Sequence, residues 1–189
     1  MALTSCMLPL GTVAPDFTLP DVDGQPVSLA AARARAFVVM FICNHCPFVK
    51  HVAPALAALG RDYAGRDVAI FAINANDPDR YPEDSPEKMA AEKAARGYVF
   101  PYLFDETQAV ARAYQAACTP DFFVFDANRA LVYRGQLDDS RPGNDRPVTG
   151  SDLRAAIDAV LEGRAVAALQ KPSIGCGIKW KPGFEPPLT

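Results

Sequence analysis

The chain has no apolar stretch near the roughly 20 residues that a membrane-spanning helix needs, so no membrane partner is expected. It has no basic surplus either. Nineteen Lys and Arg stand against 22 Asp and Glu, a net charge of −3, which leaves no positive field to gather phosphates and excludes nucleic acid as a natural partner. The start, Met1-Ala2-Leu3-Thr4-Ser5-Cys6, lacks a basic segment followed by an apolar one, so no secretory leader is expected and the cytoplasm is favoured. The five cysteines are an odd number and argue against the closed disulfide framework of small secreted domains. No internal repeat or low-complexity tract interrupts the 189 residues. Half of them are apolar and 22% charged, as in one water-soluble domain with a full core.

Against these absences stands Cys43-Asn44-His45-Cys46-Pro47. It follows directly on the apolar run Phe37-Val38-Val39-Met40-Phe41-Ile42. Two thiols are thereby set at a strand-to-helix junction, where a helix N-terminus stabilises thiolate. A thiolate beside a second thiol is the minimal requirement for dithiol–disulfide exchange. Pro47 suits the first helical turn, where its missing N–H costs nothing. Phe48, Val52, Leu56 and Leu59 then recur at helical spacing up to Gly60, with Pro54 expected to kink the helix.

Around this motif the pattern alternates. Asp16 to Leu29 reads as an N-terminal β-hairpin turning at Asp23-Gly24. Val68 to Ile73 is a second buried strand, ended by the turn residues Asn74, Asn76 and Asp77. Ser85 and Pro86 open a helix running to about Arg96. Tyr98 to Phe104 reads as a strand, and Asp105 with Gln108 as a capping box for a helix to about Ala116. Phe122 to Phe125 and Leu131 to Tyr133 form a close strand pair. Leu153, Ile157, Val160 and Leu161 mark a last helix closed by Gly163. Residues 171–189, rich in Pro and Gly, read as an irregular tail laid over a single domain spanning 1–189. The strand–helix alternation followed by a close strand pair implies an α/β fold, a central mixed sheet with helices on both faces and an N-terminal hairpin extension. Arg134, Asp138 and Asp139 read as surface charges, and Lys50 and His51 as solvated.

A C-x-x-C after the first buried strand of such a unit resembles the thioredoxin fold. The opening Gly11-Thr12-Val13-Ala14-Pro15-Asp16-Phe17-Thr18-Leu19 is similar to the redoxins of the alkyl hydroperoxide reductase and thiol-specific antioxidant branch. Cys43-Asn44-His45-Cys46-Pro47 and Gly175-Cys176-Gly177-Ile178-Lys179-Trp180-Lys181 together resemble one subgroup of those redoxins. The resemblance implies a cis-proline at Pro120, facing the disulfide and holding extended substrate backbone together with Thr119 and Pro47. It implies no organic cofactor, a protein or small-molecule thiol or disulfide as substrate, and a thiol system as electron donor.

Cys43 is the expected nucleophile, capping the helix, exposed and with a lowered pKa. Cys46, one turn in, is expected to resolve the mixed disulfide. His45 stands where strongly oxidising members of the fold carry histidine, and an imidazolium there would hold the Cys43 thiolate. Cys118 and Cys176 are candidate auxiliary redox thiols, with the tail bringing Cys176 back toward Cys118. Thioredoxins carry an aromatic residue before the first cysteine and a buried acid six before it. Here those positions are Ile42 and Phe37, so no base for Cys46 is evident.

Two alternatives stand beside thiol–disulfide exchange. A peroxidatic cysteine in this branch needs Pro seven residues before it and Thr or Ser three before it. Cys43 has Ala36 and Met40 there, and Cys46 has Val39 and Cys43. A zinc or copper site could draw on Cys43, Cys46, His45, His51, Cys118 or Cys176, but there is no second C-x-x-C and no metal ligand is assigned.

Overall fold

The computed structural model describes residues 2–185. In chain order the elements are β1 (Ala2–Thr4), β2 (Thr18–Pro20), β3 (Pro26–Ser28), β4 (Ala36–Phe41), α1 (Pro47–Tyr63), β5 (Val68–Asn74), a 3₁₀ turn at Pro82–Asp84 and α2 (Pro86–Arg96). There follow β6 (Tyr102–Phe104), α3 (Ala109–Ala113), β7 (Cys118–Thr119), β8 (Asp121–Phe125), β9 (Leu131–Gly135), α4 (Ser151–Leu161) and β10 (Ile174–Gly177). The central sheet runs β6-β5-β4-β8-β9. β4, β5 and β6 are parallel, and β8 and β9 join antiparallel. The mixed sheet and the β2–β3 hairpin are those the sequence pattern implies.

β4 sits in the middle because it has no polar residue to spare for water, and all six of its residues are buried. Its side chains alternate across the sheet. Val38 and Met40 pack with Val49, Val52, Leu56 and Leu59 of α1 and with Leu153 and Ile157 of α4. Phe37, Val39 and Phe41 face the opposite layer, with Ala111 of α3 and Tyr114 beyond it. There the Tyr114 ring meets Phe123 edge-on at 5.5 Å between centroids. α1 therefore lies flat on one face with its N-terminus aimed at the end of β4, and this alone fixes where the two motif cysteines go. α1 continues past Pro54 as one 17-residue helix. Among the described residues no helix is long and apolar enough to cross a membrane.

Several expectations need correction. The tail is not irregular throughout. Ile174–Gly177 forms β10, which pairs with β1 on one side and β7 on the other in a separate three-stranded sheet. Residues 186–189 lie outside the described residues. The expected strand from Tyr98 is confined to Tyr102–Phe104, because the Tyr98 amide donates to Lys93 O and closes α2 beyond left-handed Gly97. The helix expected from Asp105 starts only at Ala109. Gln108 before it takes a left-handed conformation (φ 59°), and its side chain is held elsewhere.

Arg134 is not at the surface. It is fully buried, donates to Asp121 Oδ2 at 3.1 Å and to Gln115 O at 2.7 Å, and stacks over the Phe123 ring. Asp138 is buried as well, accepting from the amides of Ser140, Thr149 and Gly150. Burial pushes the Asp121 carboxyl up to about 6 against the pull of Arg134, so this pair strains against its surroundings and depends on both partners. Arg134→Ala is expected to destabilise the protein by about 3–5 kcal/mol, since it strands a buried carboxylate. Arg134→Met combined with Asp121→Leu is expected to recover most of that loss. Urea unfolding of the two variants checks the difference, and equal losses would contradict it.

Candidate active site

β4 is extended one residue by Ile42, whose amide donates to Ile73 O at 3.0 Å. The chain then turns over Cys43, Asn44 and His45 before α1 starts at Pro47, in the first helical position. Cys46, extended at φ −66° and ψ 124°, is the N-cap. The expected order is thus reversed. Cys46 caps the helix, while Cys43 stays at the strand end, only 2% exposed.

The sulfurs follow that order. Cys46 is lowered to about 4, first because the Cys43 thiol donates to it, with further help from the Cys176 side chain and the main-chain amides of Val49 and Cys176. Helix polarity acts in the same direction. Cys43 is raised, first by the same hydrogen bond, then by burial and by the nearby charge of Asp84. The pair gives up one proton easily, and the charge rests on Cys46 rather than on Cys43.

The Thr119–Pro120 bond is cis, as the resemblance implied. Thr119 lies over both sulfurs. Its hydroxyl is 3.3 Å from Cys43 Sγ, and its carbonyl lies 3.3 Å from Cys46 Sγ, where it accepts from Cys46 only when that sulfur is protonated. Its main chain is not open to an extended substrate, because β10 is paired there in the register Cys176↔Thr119. The approach needs a glycine next to the cysteine: a Cβ on Gly175 would lie 2.0 Å from Thr119 O. Pro47 is exposed. Cys176 packs against the cluster that holds Cys43 and Cys46, while Cys118 does not. Neighbouring strand residues face opposite sides, and the Cys118 thiol donates instead to Pro120 O at 3.8 Å. Burial raises Cys118 strongly, with Asp121 adding to the effect.

No acid stands at the position of Phe37, but a buried carboxylate reaches the motif from another segment. Asp84 is fully buried. It accepts from the Asn44 amide at 2.7 Å, from His45 Nδ1 at 2.5 Å and from Asn76 Nδ2 at 2.8 Å. The His45 ring stacks on Tyr81 with 5.2 Å between centroids. Asn44 in turn accepts from the Tyr102 hydroxyl at 2.9 Å. His45 therefore serves Asp84 rather than standing free over a Cys43 thiolate. Ligand atoms of Cys43, His45 and Asp84 lie within 4.8 Å of one another. Three donors already occupy the Asp84 carboxylate, which leaves it little capacity to ligate an ion. Asn76 also receives the Lys179 amide at 2.8 Å, and Gln108 brackets Lys179 O and the Lys181 amide. The tail motif is thus tied to the ends of β5 and α3. Asn74, Asn76, Asp84 and Gln108 pass as turn and cap residues in the sequence. Only their spatial convergence, with each of them buried, marks them out.

The model of the AhpC/TSA family matches residues 10–134. The solved structure of a conserved protein from Geobacillus kaustophilus superposes with a TM-score of 0.95 at 59% identity, covering 97% of this chain and 98% of that one. The thiol-disulfide oxidoreductase ResA of Geobacillus kaustophilus is 29% identical over 121 residues, 63% of this chain and 64% of its own length. A putative peroxiredoxin of Mycobacterium tuberculosis, MT2597, is 34% identical over 118 residues, 61% of this chain and 69% of its own. The architecture is the thioredoxin-like fold.

Titration of the reduced protein at 240 nm is expected to show one thiolate appearing near pH 4 and lost in Cys46→Ser. A thiol with a folded pKa below its unfolded value stabilises the fold fully above the unfolded value, near ~8.5. That stabilisation is lost as the pH falls through the folded pKa of about 4. The reduced wild type should therefore gain stability over Cys46→Ser between those limits. Asp84→Asn in a Cys46→Ser background is expected to lower the Cys43 pKa, read from the pH dependence of alkylation; an unchanged profile would contradict the role given to the Asp84 charge.

Proposed function

The chain belongs to the AhpC/TSA family, and from that premise we propose that it is a thiol–disulfide oxidoreductase working through Cys43 and Cys46. The observation that carries the reading is the C-x-x-C pair at the junction of β4 and α1, with Cys46 capping the helix and Thr119 against both sulfurs. In the reducing direction, one sulfur of the pair attacks a substrate disulfide and releases one substrate thiol. The other then attacks the mixed disulfide and releases the second. Two electrons leave the pair, and the product is the Cys43–Cys46 disulfide. No organic cofactor is needed for this exchange; the electrons come from a partner thiol system, and the substrate is a protein or small-molecule disulfide or thiol. The naming of the ResA relative supports the reading. The match spans 64% of that protein's length, so the activity is proposed for this chain rather than carried over.

A second reading, reduction of hydroperoxides, is favoured by the Thr119 hydroxyl beside Cys43 and by the peroxiredoxin relative. It requires a thiolate at a peroxide-binding sulfur. Cys43 is raised, and its hydrogen-bond partners among the described residues, Cys46 and Thr119, include no cation. Disulfide exchange therefore suits the site better.

A low thiol pKa stabilises the reduced pair and so raises its potential. Equilibration with glutathione is expected to give a value more oxidising than the roughly −270 mV of thioredoxin. A value at or below that figure contradicts the reading of the Cys46 environment. Cys46→Ser is expected to abolish turnover of a small aromatic disulfide. Full turnover in that variant would overturn the function.

A further inference from the structure

Resting on that reading and deepening it, we propose that Cys176 is the third sulfur of the centre: the buried Cys43–Cys46 disulfide passes to Cys46–Cys176, and substrate thiols meet it there.

Access favours such a step. Cys43 is 2% exposed and Cys46 fully buried, whereas Cys176 is partly exposed. It is the one sulfur of the three that an outside molecule can touch without opening the core. It pairs in register with Thr119, whose carbonyl lies 3.3 Å from Cys46 Sγ, and it packs against the cluster that holds both motif cysteines. That placement is built by main-chain pairing. β10 is held on one side by Thr119 and on the other by Leu3, which pairs with Gly175. The two glycines around Cys176 leave no room for a shifted register. A Cβ at Gly175 would strike Thr119 O, and one at Gly177 would lie 2.8 Å from Leu3 Cδ1. Both ends of the strand are fastened. Upstream, Ser173 and Ser5 exchange hydrogen bonds at 2.9 Å, and the Ser173 hydroxyl donates to Gly135 O at 2.6 Å. Downstream, Lys179 is bound by Asn76, Asp77 and Gln108.

The step balances without any oxidant or reductant. The Cys176 thiolate attacks Cys46 Sγ; the Cys46–Cys176 bond forms and the Cys43–Cys46 bond breaks. The electron pair leaves on Cys43, which takes up the proton that Cys176 gave. In the reduced centre Cys176 is pushed up to about 11 by burial, then by its hydrogen bond and repulsion with the Cys46 thiolate. Oxidation of Cys46 removes that charge and eases the loss of the Cys176 proton. Burial and the Asp84 charge favour Cys43 as thiol, which draws the exchange outward. An external thiolate then attacks the partly exposed Cys176 Sγ. Cys46 departs as a stabilised thiolate, and thiols of low pKa leave faster. A second external thiol releases the mixed disulfide as an external disulfide and restores Cys176.

The test uses the full chain. The wild type, Cys43→Ser and Cys176→Ser are oxidised with glutathione disulfide, quenched in acid, alkylated and mapped by mass spectrometry. Oxidised Cys43→Ser is expected to carry a Cys46–Cys176 disulfide. Oxidised Cys176→Ser is expected to return to the dithiol with reduced glutathione about ten-fold or more slowly than the wild type. If Cys46 of Cys43→Ser is found as free thiol or glutathione adduct, with the wild type holding Cys43–Cys46, the third-sulfur proposal alone falls. A Cys176→Ser rate equal to the wild type's overturns it likewise. A wild type in which Cys46 forms neither a Cys43–Cys46 nor a Cys46–Cys176 disulfide overturns the oxidoreductase reading, and this proposal with it.

Discussion

The junction of buried β4 with the N-terminus of α1 is the constraint on which the rest of the site depends, because it brings Cys43 and Cys46 together under Thr119. It sets the two sulfurs in different surroundings. A strand buried on both faces has to end, a helix has to begin, and only a short turn over Cys43, Asn44 and His45 separates them. The helix N-terminus then falls on Cys46, and the buried strand end falls on Cys43. Burial and a nearby carboxylate push Cys43 toward the thiol. The helix amides and the tail strand push Cys46 toward the thiolate.

The other groups that meet these two sulfurs come from far along the chain. Thr119 arrives from β7 and Pro120 from its link to β8, Asp84 from the turn before α2, and Cys176 from β10. Each is held by groups with little freedom: Asp84 by three donors, β10 by strands on both sides, the tail after it by Asn76 and Gln108. The C-terminal motif, Gly175 to Lys181, is therefore a structural part of the centre, although it stands far beyond Cys46 in the sequence. Its glycines let the backbone of β10 lie against Thr119, and its lysines carry the amides that anchor the strand's far end.

The architecture was legible because it rests on periodicity. The unbroken apolar run at Phe37–Ile42 could only be a central strand, and the Ser85-Pro86 start of α2 is standard cap chemistry, with Ser85 accepting from the Lys88 amide. The position of the redox pair was legible from C-x-x-C alone. Which cysteine is the cap was not, because a shift of about one turn at the helix start exchanges their environments, and no residue type marks that boundary. Asp84 was hidden for a different reason. In sequence it looks like one more acid before a helix, and its burial depends on Asn44, His45 and Asn76 meeting it from segments up to 40 residues away. Arg134 misled for the same reason, since its partners Asp121 and Gln115 lie on other segments. Short strands such as β7 and β10 carry too few residues for any period to show, and they form because each lends the other its hydrogen bonds.

The most direct test of the central claim is a time course of cysteine oxidation in the reduced protein, read by mass spectrometry after exposure to a small disulfide or to hydrogen peroxide. Thiol–disulfide exchange through the pair predicts rapid Cys43–Cys46 formation with the disulfide and slow reaction with peroxide. Fast, selective conversion of one cysteine to sulfenic acid by peroxide, with the disulfide reacting slowly, would contradict the account and make the protein a peroxidase.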